Sequence, residues 1–232
     1  KIICLAAALA MGLPLFFLLK DSAGTSMAAF AMIVVMLPCF LLAMYEKHGQ
    51  PLEVVIKNVI PKHLESISTK LIECGAVIEE FDDAVRVSLD HRPGKCNIKT
   101  MPHPGFPTDM QPQMAVLLAL ADGTSIISES IWSNRFRYAE QLNRMGASIS
   151  VDGQLAVVQG VEQLKGAPDR ADDLRAGAAM LIAGLCAKGT TEVEDILHID
   201  RGYEDVVEKF SGLGADIKRV RCPEPDSLSS AG

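Results

Sequence analysis

Three stretches of the chain repeat one pattern: Leu71-Ile72-Glu73-Cys74-Gly75-Ala76-Val77-Ile78, Leu142-Asn143-Arg144-Met145-Gly146-Ala147-Ser148-Ile149 and Phe210-Ser211-Gly212-Leu213-Gly214-Ala215-Asp216-Ile217. Their glycines recur about 70 residues apart, an interval that marks stacked supersecondary units sharing one core. Each glycine follows a helix-like segment and precedes a β-like one. This is where a residue free of the Cβ penalty takes the left-handed conformation and stops the helix. A second pair of matches runs in the same register. Ala121-Asp122-Gly123-Thr124 leads to Asn134-Arg135, and Ala187-Lys188-Gly189-Thr190 leads to Asp200-Arg201, with equal spacing from glycine to arginine. Upstream, Asp109-Met110-Gln111 and Asp173-Leu174-Arg175 each open an apolar helix. Each unit therefore reads as strand, helix, strand, helix, strands, and the fold class is α/β.

The chain ahead of this repeat has a different character. Ile2 to Leu19 and Met27 to Tyr45 are nearly free of charge, and each is close to the roughly 20 residues a helix needs to cross a bilayer core. A short polar turn, Lys20 to Ser26, separates them, so the expectation is a transmembrane helical hairpin in residues 1–57, with Pro14 and Pro38 tolerated inside its helices. A cleaved leader would account for the first span but not the second. Two buried helices of a soluble core would show a polar face, and none is visible. Lys1 before the spans and Lys47, His48, Lys57 and Lys62 after them place both ends in the cytoplasm. The repeat-bearing domain is expected over residues 58–220. The tail 221–232, with Pro223, Pro225 and several serines, is expected to be disordered.

A formal net charge of −7 excludes a broad electrostatic footprint for nucleic acid, but a local cluster of arginines could still hold a small anion. The six cysteines contain no Cys-x-x-Cys pair, which argues against a zinc site or a disulfide framework. They read as free thiols packed as small hydrophobes.

Candidate chemistry centres on Pro102-His103-Pro104-Gly105-Phe106-Pro107-Thr108-Asp109-Met110-Gln111, where three prolines fix the approach to a helix beginning near Asp109. That aspartate has two readings. One is an N-cap that accepts amide hydrogen bonds, and the other is a group that touches substrate. Arg135 and Arg201 occupy equivalent places in two units, between strand and helix, and Arg175 falls in the first turn of a helix. Convergent arginines suit bidentate recognition of carboxylate and phosphate. The alternative is surface ion pairing with Glu140, Asp172 and Glu204. Gly212-Leu213-Gly214 follows a helix and lacks a third glycine, so it is not a nucleotide fingerprint.

Taken with Asn134-Arg135-Phe136, Gly160-Val161-Glu162, Asp173-Leu174-Arg175-Ala176, Gly189-Thr190-Thr191 and His198-Ile199-Asp200-Arg201-Gly202-Tyr203-Glu204, the run from Pro102 to Gln111 resembles the UDP-N-acetylglucosamine 1-carboxyvinyltransferases. The resemblance is colinear from about Asn58 to Val220. It implies one lobe of an inside-out α/β barrel and transfer of an enolpyruvyl group from phosphoenolpyruvate to the 3-hydroxyl of UDP-N-acetylglucosamine, without metal or cofactor. It assigns Asp109 to the sugar nucleotide and to proton abstraction, Ile131 to the sugar nucleotide, Arg135 and Arg201 to phosphoenolpyruvate, and Asp173 and Arg175 to the lobe interface. It gives His103 and His198 no proton-transfer role, and both read as structural.

Residues 1–57 resemble the PrgI family of two-span membrane proteins. The other lobe of the carboxyvinyltransferases, which carries their general acid, has no motif here. The expectation is a half-site that is inactive alone and needs the other lobe or a partner chain. Lys1 in place of an initiator methionine points to a longer reading frame. Two alternatives stay open: a membrane-associated binding or conjugation-apparatus protein carrying the lobe as a passenger, and the related transferase of aromatic amino-acid synthesis. The expected location is the membrane with the lobe in the cytoplasm, or the cytoplasm if the hairpin is an artefact of a gene junction.

Overall fold

The computed structural model describes residues 52–212 and 214–220, with the backbone alone at 52–54. The expected hairpin, the tail and Cys4, Cys39 and Cys222 lie outside the described residues. Among the described residues no helix is long and apolar enough to cross a membrane.

The first sheet holds β1 (Leu52–Lys57), β2 (Val77–Glu80) and β3 (Ala84–Leu89) in the order β1-β3-β2, all antiparallel, with α1 (Glu65–Glu73) between β1 and β2. The second holds β4 (Ile98–Lys99), β5 (Thr124–Ser128), β6 (Ser148–Asp152) and β7 (Leu155–Gln159) in the order β4-β5-β7-β6. Here β4 runs parallel to β5 and the other pairings are antiparallel. Helix α2 (Gln111–Ala119) joins β4 to β5, and α3 (Tyr138–Arg144) joins β5 to β6. The third sheet is the parallel pair β8 (Pro168–Arg170) and β9 (Glu192–Glu194), linked by α4 (Leu174–Cys186) and followed by α5 (Leu197–Gly202) and α6 (Val206–Gly212).

Superposed as repeats, the three sheets are one template. Strands β1, β5 and β9 correspond, as do the hairpins β2–β3 and β6–β7 and the leading strands β4 and β8. Within the described residues only the middle sheet has all four strands. The helix stops are reproduced bond for bond. Gly75 N–H donates to the Ile72 carbonyl and Ala76 N–H to that of Leu71, at 2.9 and 3.0 Å; Gly146 and Ala147 donate to Asn143 and Leu142, both at 3.0 Å. Gly214 and Ala215 do the same to Ser211 and Phe210, at 2.9 and 3.0 Å. This is the Schellman pattern, and the three glycines have φ of 96°, 93° and 93°. The parallel bridges Gly94↔Asp122 and Lys165↔Lys188 are likewise equivalent.

Helices α2 and α4 occupy the centre, with the sheets outside them. Every residue of α2 is buried, including Met114, Leu117 and Leu118, which explains why its sequence has no polar face. It packs on α4, which buries Met180, Ile182 and Ala183. The strands alternate instead. Ser125 and Ile127 of β5 and Ala156 and Val158 of β7 point to the helices while their neighbours face solvent. Each fully buried aliphatic side chain contributes about 1.5–3 kcal/mol to this single core. Cys74, Cys96 and Cys186 are buried within it.

Three details differ from the sequence reading. The first sheet takes in β1, six residues ahead of the Asn58 at which the domain was expected to start, because the alternation of Leu52–Lys57 supplies the pairing partner β3 needs. After Gly214 the described residues form no strand, since no hairpin partner follows within them and an isolated strand has no ladder to hold it. Arg201 lies inside α5, in its last turn, and not between strand and helix as Arg135 does.

Candidate functional site

Asp109 sits in a single 3-10 turn, Thr108–Met110, that leads into α2. Its side chain makes no capping bond, so the N-cap reading does not describe it. Its Oδ1 accepts hydrogen bonds from Arg135 Nη2 and Arg175 Nε, both at 2.6 Å. The three side chains are 31 %, 16 % and 33 % exposed, which places them at the mouth of the fold and not in its interior. No protein donor among the described residues reaches Oδ2. Arg175 spends only its Nε on Asp109, so its two terminal amino groups are uncommitted among the described residues.

The site straddles two repeats. Asp109 precedes α2 and Arg135 lies in the β5–α3 connection, both in the second unit, whereas Arg175 belongs to the first turn of α4 in the third. Helix α4 starts there because Asp173, in extended conformation, caps it by accepting from the Arg175 and Ala176 amides at 2.7 and 2.9 Å. The cap fixes the turn from which the Arg175 guanidinium reaches across. Arg135 and Arg175 do not take the surface partners available in sequence. Asp172 accepts from Gln141 Nε2 at 3.1 Å, and Glu204 lies 3.9 Å from Lys209.

Of the six residues singled out from sequence, the structure thus joins Asp109, Arg135 and Arg175 directly and sets Asp173 beneath Arg175. Ile131 lies on the rim, 36 % exposed. Arg201 is exposed and makes no ion pair among the described residues, so nothing brings it to Asp109 in this conformation.

Two groups escaped the sequence reading. Glu129 follows β5 and is 1 % exposed, yet its carboxylate accepts from the Thr100 and Thr108 hydroxyls and the Ile131 amide, each at 2.8 Å, and from the Trp132 amide at 3.2 Å. The signal was its register. Ser125, Ile127 and Glu129 continue one inward-facing alternation, where a carboxylate is out of place without donors. The other is Tyr203. It follows α5, beside Leu174, whose side chain fills the space a Cβ on Gly202 would need. Its buried hydroxyl has no protein partner, and burial pushes its pKa above the ordinary value while Arg175 opposes the rise and Asp109 and Asp173 add to it. The phenol thus lies within electrostatic reach of the cluster.

Residues 46–210 match the family EPSP synthase (3-phosphoshikimate 1-carboxyvinyltransferase), and residues 1–68 match the PrgI family. The chain is similar to UDP-N-acetylglucosamine 1-carboxyvinyltransferase 3 of Caldanaerobacter subterraneus subsp. tengcongensis, 57 % identical over 169 residues that cover 73 % of this chain and 40 % of that protein. The enzyme of the same name numbered 2 in Clostridium acetobutylicum is 55 % identical over 168 residues, 72 % of this chain and 40 % of its own length. That of Desulfofundulus thermocisternus is 53 % identical over 168 residues, 72 % of this chain and 69 % of its own. The chain thus spans about two fifths of the length of the first two relatives. Among solved structures, the enolpyruvyl transferase NikO from Streptomyces tendae superposes with a TM-score of 0.71 at 29 % identity, over 82 % of this chain and 44 % of that one.

Proposed function

The chain belongs to the EPSP synthase family, and from that premise we propose that its described part is one lobe of an enolpyruvyl transferase that takes UDP-N-acetylglucosamine as acceptor and phosphoenolpyruvate as donor. The observation that carries the reading is the Asp109 carboxylate, anchored through Oδ1 by two guanidinium groups and open at Oδ2.

The arrangement suits the chemistry. An alcohol becomes a nucleophile when a positioned base takes its proton, and Oδ2 is the atom free to do so. Holding Oδ1 between Arg135 and Arg175 fixes the carboxylate plane, so Oδ2 needs no reorganisation when the 3-hydroxyl arrives. The donor is an anion at both its carboxylate and its phosphate. The unused terminal amino groups of Arg175 and the exposed Arg201, without an ion pair among the described residues, are the cations this lobe can offer it, the first already placed and the second brought in on binding. Ile131, at the rim, supplies apolar contact to the sugar nucleotide.

Relatives named for UDP-N-acetylglucosamine at 50–57 % identity favour that acceptor over shikimate 3-phosphate. Calorimetric titration of the full chain with UDP-N-acetylglucosamine tests this directly. Saturable binding near one site per chain is expected, with no heat from shikimate 3-phosphate. Absence of binding at millimolar nucleotide sugar would overturn the assignment. It would favour the second reading, supported by the PrgI match over residues 1–68, in which the lobe is a passenger on a protein of another role.

A further inference from the structure

The geometry points to Glu129 as a positioning residue that presets the acceptor side of the site, an inference that rests on the reading of that site as a sugar-nucleotide pocket. Its carboxylate gathers four donors from three separate pieces of chain: the Thr100 hydroxyl just past β4, the Thr108 hydroxyl at the start of the Asp109 turn, and the Ile131 and Trp132 amides of the loop after β5. Thr100 completes the ring by accepting from the Ser130 amide at 2.9 Å, and the Ser130 hydroxyl donates to the Thr100 carbonyl.

A buried carboxylate holds its place only where its lone pairs meet donors, and four donors on one group fix those donors relative to one another. Two consequences reach the site. Thr108 adjoins Asp109 and also lies 3.4 Å from Arg135 Nε, so Glu129, Thr108, Arg135 and Asp109 form one polar chain running from the core to the mouth. On the other side, Glu129 ties down the backbone of Ile131 and Trp132, whose side chains stand 36 % and 59 % exposed. Glu129 thereby presents Ile131 to the sugar nucleotide without a closing motion of the loop. It touches neither ligand nor Asp109 and acts through both neighbours.

The test uses the full chain, in which Trp132 is the single tryptophan and so reports on the loop alone. Glu129→Leu removes the acceptor for all four donors, where glutamine would keep its oxygen on the Ile131 and Trp132 amides and turn its nitrogen to the Thr108 hydroxyl. Time-resolved anisotropy of Trp132 should gain a larger fast component, and the dissociation constant for UDP-N-acetylglucosamine should rise about tenfold, with far-ultraviolet circular dichroism unchanged. Thr108→Val severs only the link towards Asp109. It should weaken nucleotide-sugar binding while leaving Trp132 anisotropy at the wild-type value, a split that a merely structural Glu129 would not give. Unchanged anisotropy and affinity in a folded Glu129→Leu protein would overturn the inference, as would equal anisotropy changes in both variants. If the wild type binds no UDP-N-acetylglucosamine, the functional reading fails while the anisotropy comparison still decides whether Glu129 holds the loop.

Discussion

Replacing Asp109 with asparagine separates the structural from the chemical part of its role. Asparagine keeps an acceptor in the Oδ1 position, so both arginine bonds survive, each now from a guanidinium to a neutral oxygen. Losing the carboxylate charge removes the ion-pair attraction to each guanidinium, on the order of 1 kcal/mol apiece. The three partners are between 16 % and 33 % exposed, and solvent screening brings the pair of losses down to about 1 kcal/mol in total. For a chain of this size that is a fall in Tm of about 2–4 °C. The chemical loss should be much larger. With Oδ1 held by the arginines, the amide nitrogen falls where Oδ2 was and donates towards a hydroxyl that needs an acceptor. The dissociation constant for UDP-N-acetylglucosamine should rise tenfold or more, about 1.4 kcal/mol. Urea unfolding and calorimetric titration of the same preparations measure the two effects. A stability loss above about 4 kcal/mol with unchanged affinity would show that Asp109 is a structural tie between repeats and not a ligand group.

Gly160→Ala should cost about 3 kcal/mol or more, because its new Cβ would lie 1.7 Å from the Ala121 carbonyl oxygen, a backbone atom that cannot yield. Gly146→Ala, with open space around it and only its φ of 93° to penalise, should cost about 1 kcal/mol, and denaturant midpoints for the two variants should differ accordingly. The buried Asp169 carboxyl, raised above 3.8 chiefly by desolvation with Arg144 opposing, binds its proton more tightly folded than unfolded. Stability should therefore fall as pH climbs from 3.8 through the raised value. Asp169→Asn should remove that part of the slope in a pH series of unfolding curves. Burial pushes the Cys186 thiol up to about 12, so alkylation at pH 8 should label it only at the rate of unfolding, and mass-spectrometric detection of rapid labelling in native buffer would contradict its burial.

The repeat was legible because helix stops are local. The glycine, the preceding buried leucine at Leu71 and Leu142 and the following alanine are all within one turn, and the structure returns the same two hydrogen bonds at each. Asp173 was legible as the start of α4 for the same reason. That Asp109 shares a site with Arg135 came from family resemblance, whereas its direct pairing with Arg175, expected only at the lobe interface, was not foreseen, since 66 residues separate the two and no local pattern spans that distance. Glu129 was missed because its neighbours Ser128 and Ser130 look like any polar strand end, and the four donors that explain it are assembled by tertiary structure. The arginine equivalence misled at Arg201. Equal spacing from glycine fixed its place in sequence, but α5 adds a helical turn to the third unit that has no counterpart before Arg135.

The clamp on Asp109 has one jaw in the second unit and the other in the third, and the two units are joined through α2 against α4. Two copies of one repeated module thus share custody of a single oxygen atom, so neither is free to drift without the other. Slack introduced deep in the α2–α4 contact, as by trimming Met114 or Met180, would move the jaws apart and register first as poor ligand affinity, before any loss of fold. Selection acting on the chemistry therefore polices the alignment of the modules, and compensating changes should accumulate in facing pairs across that contact.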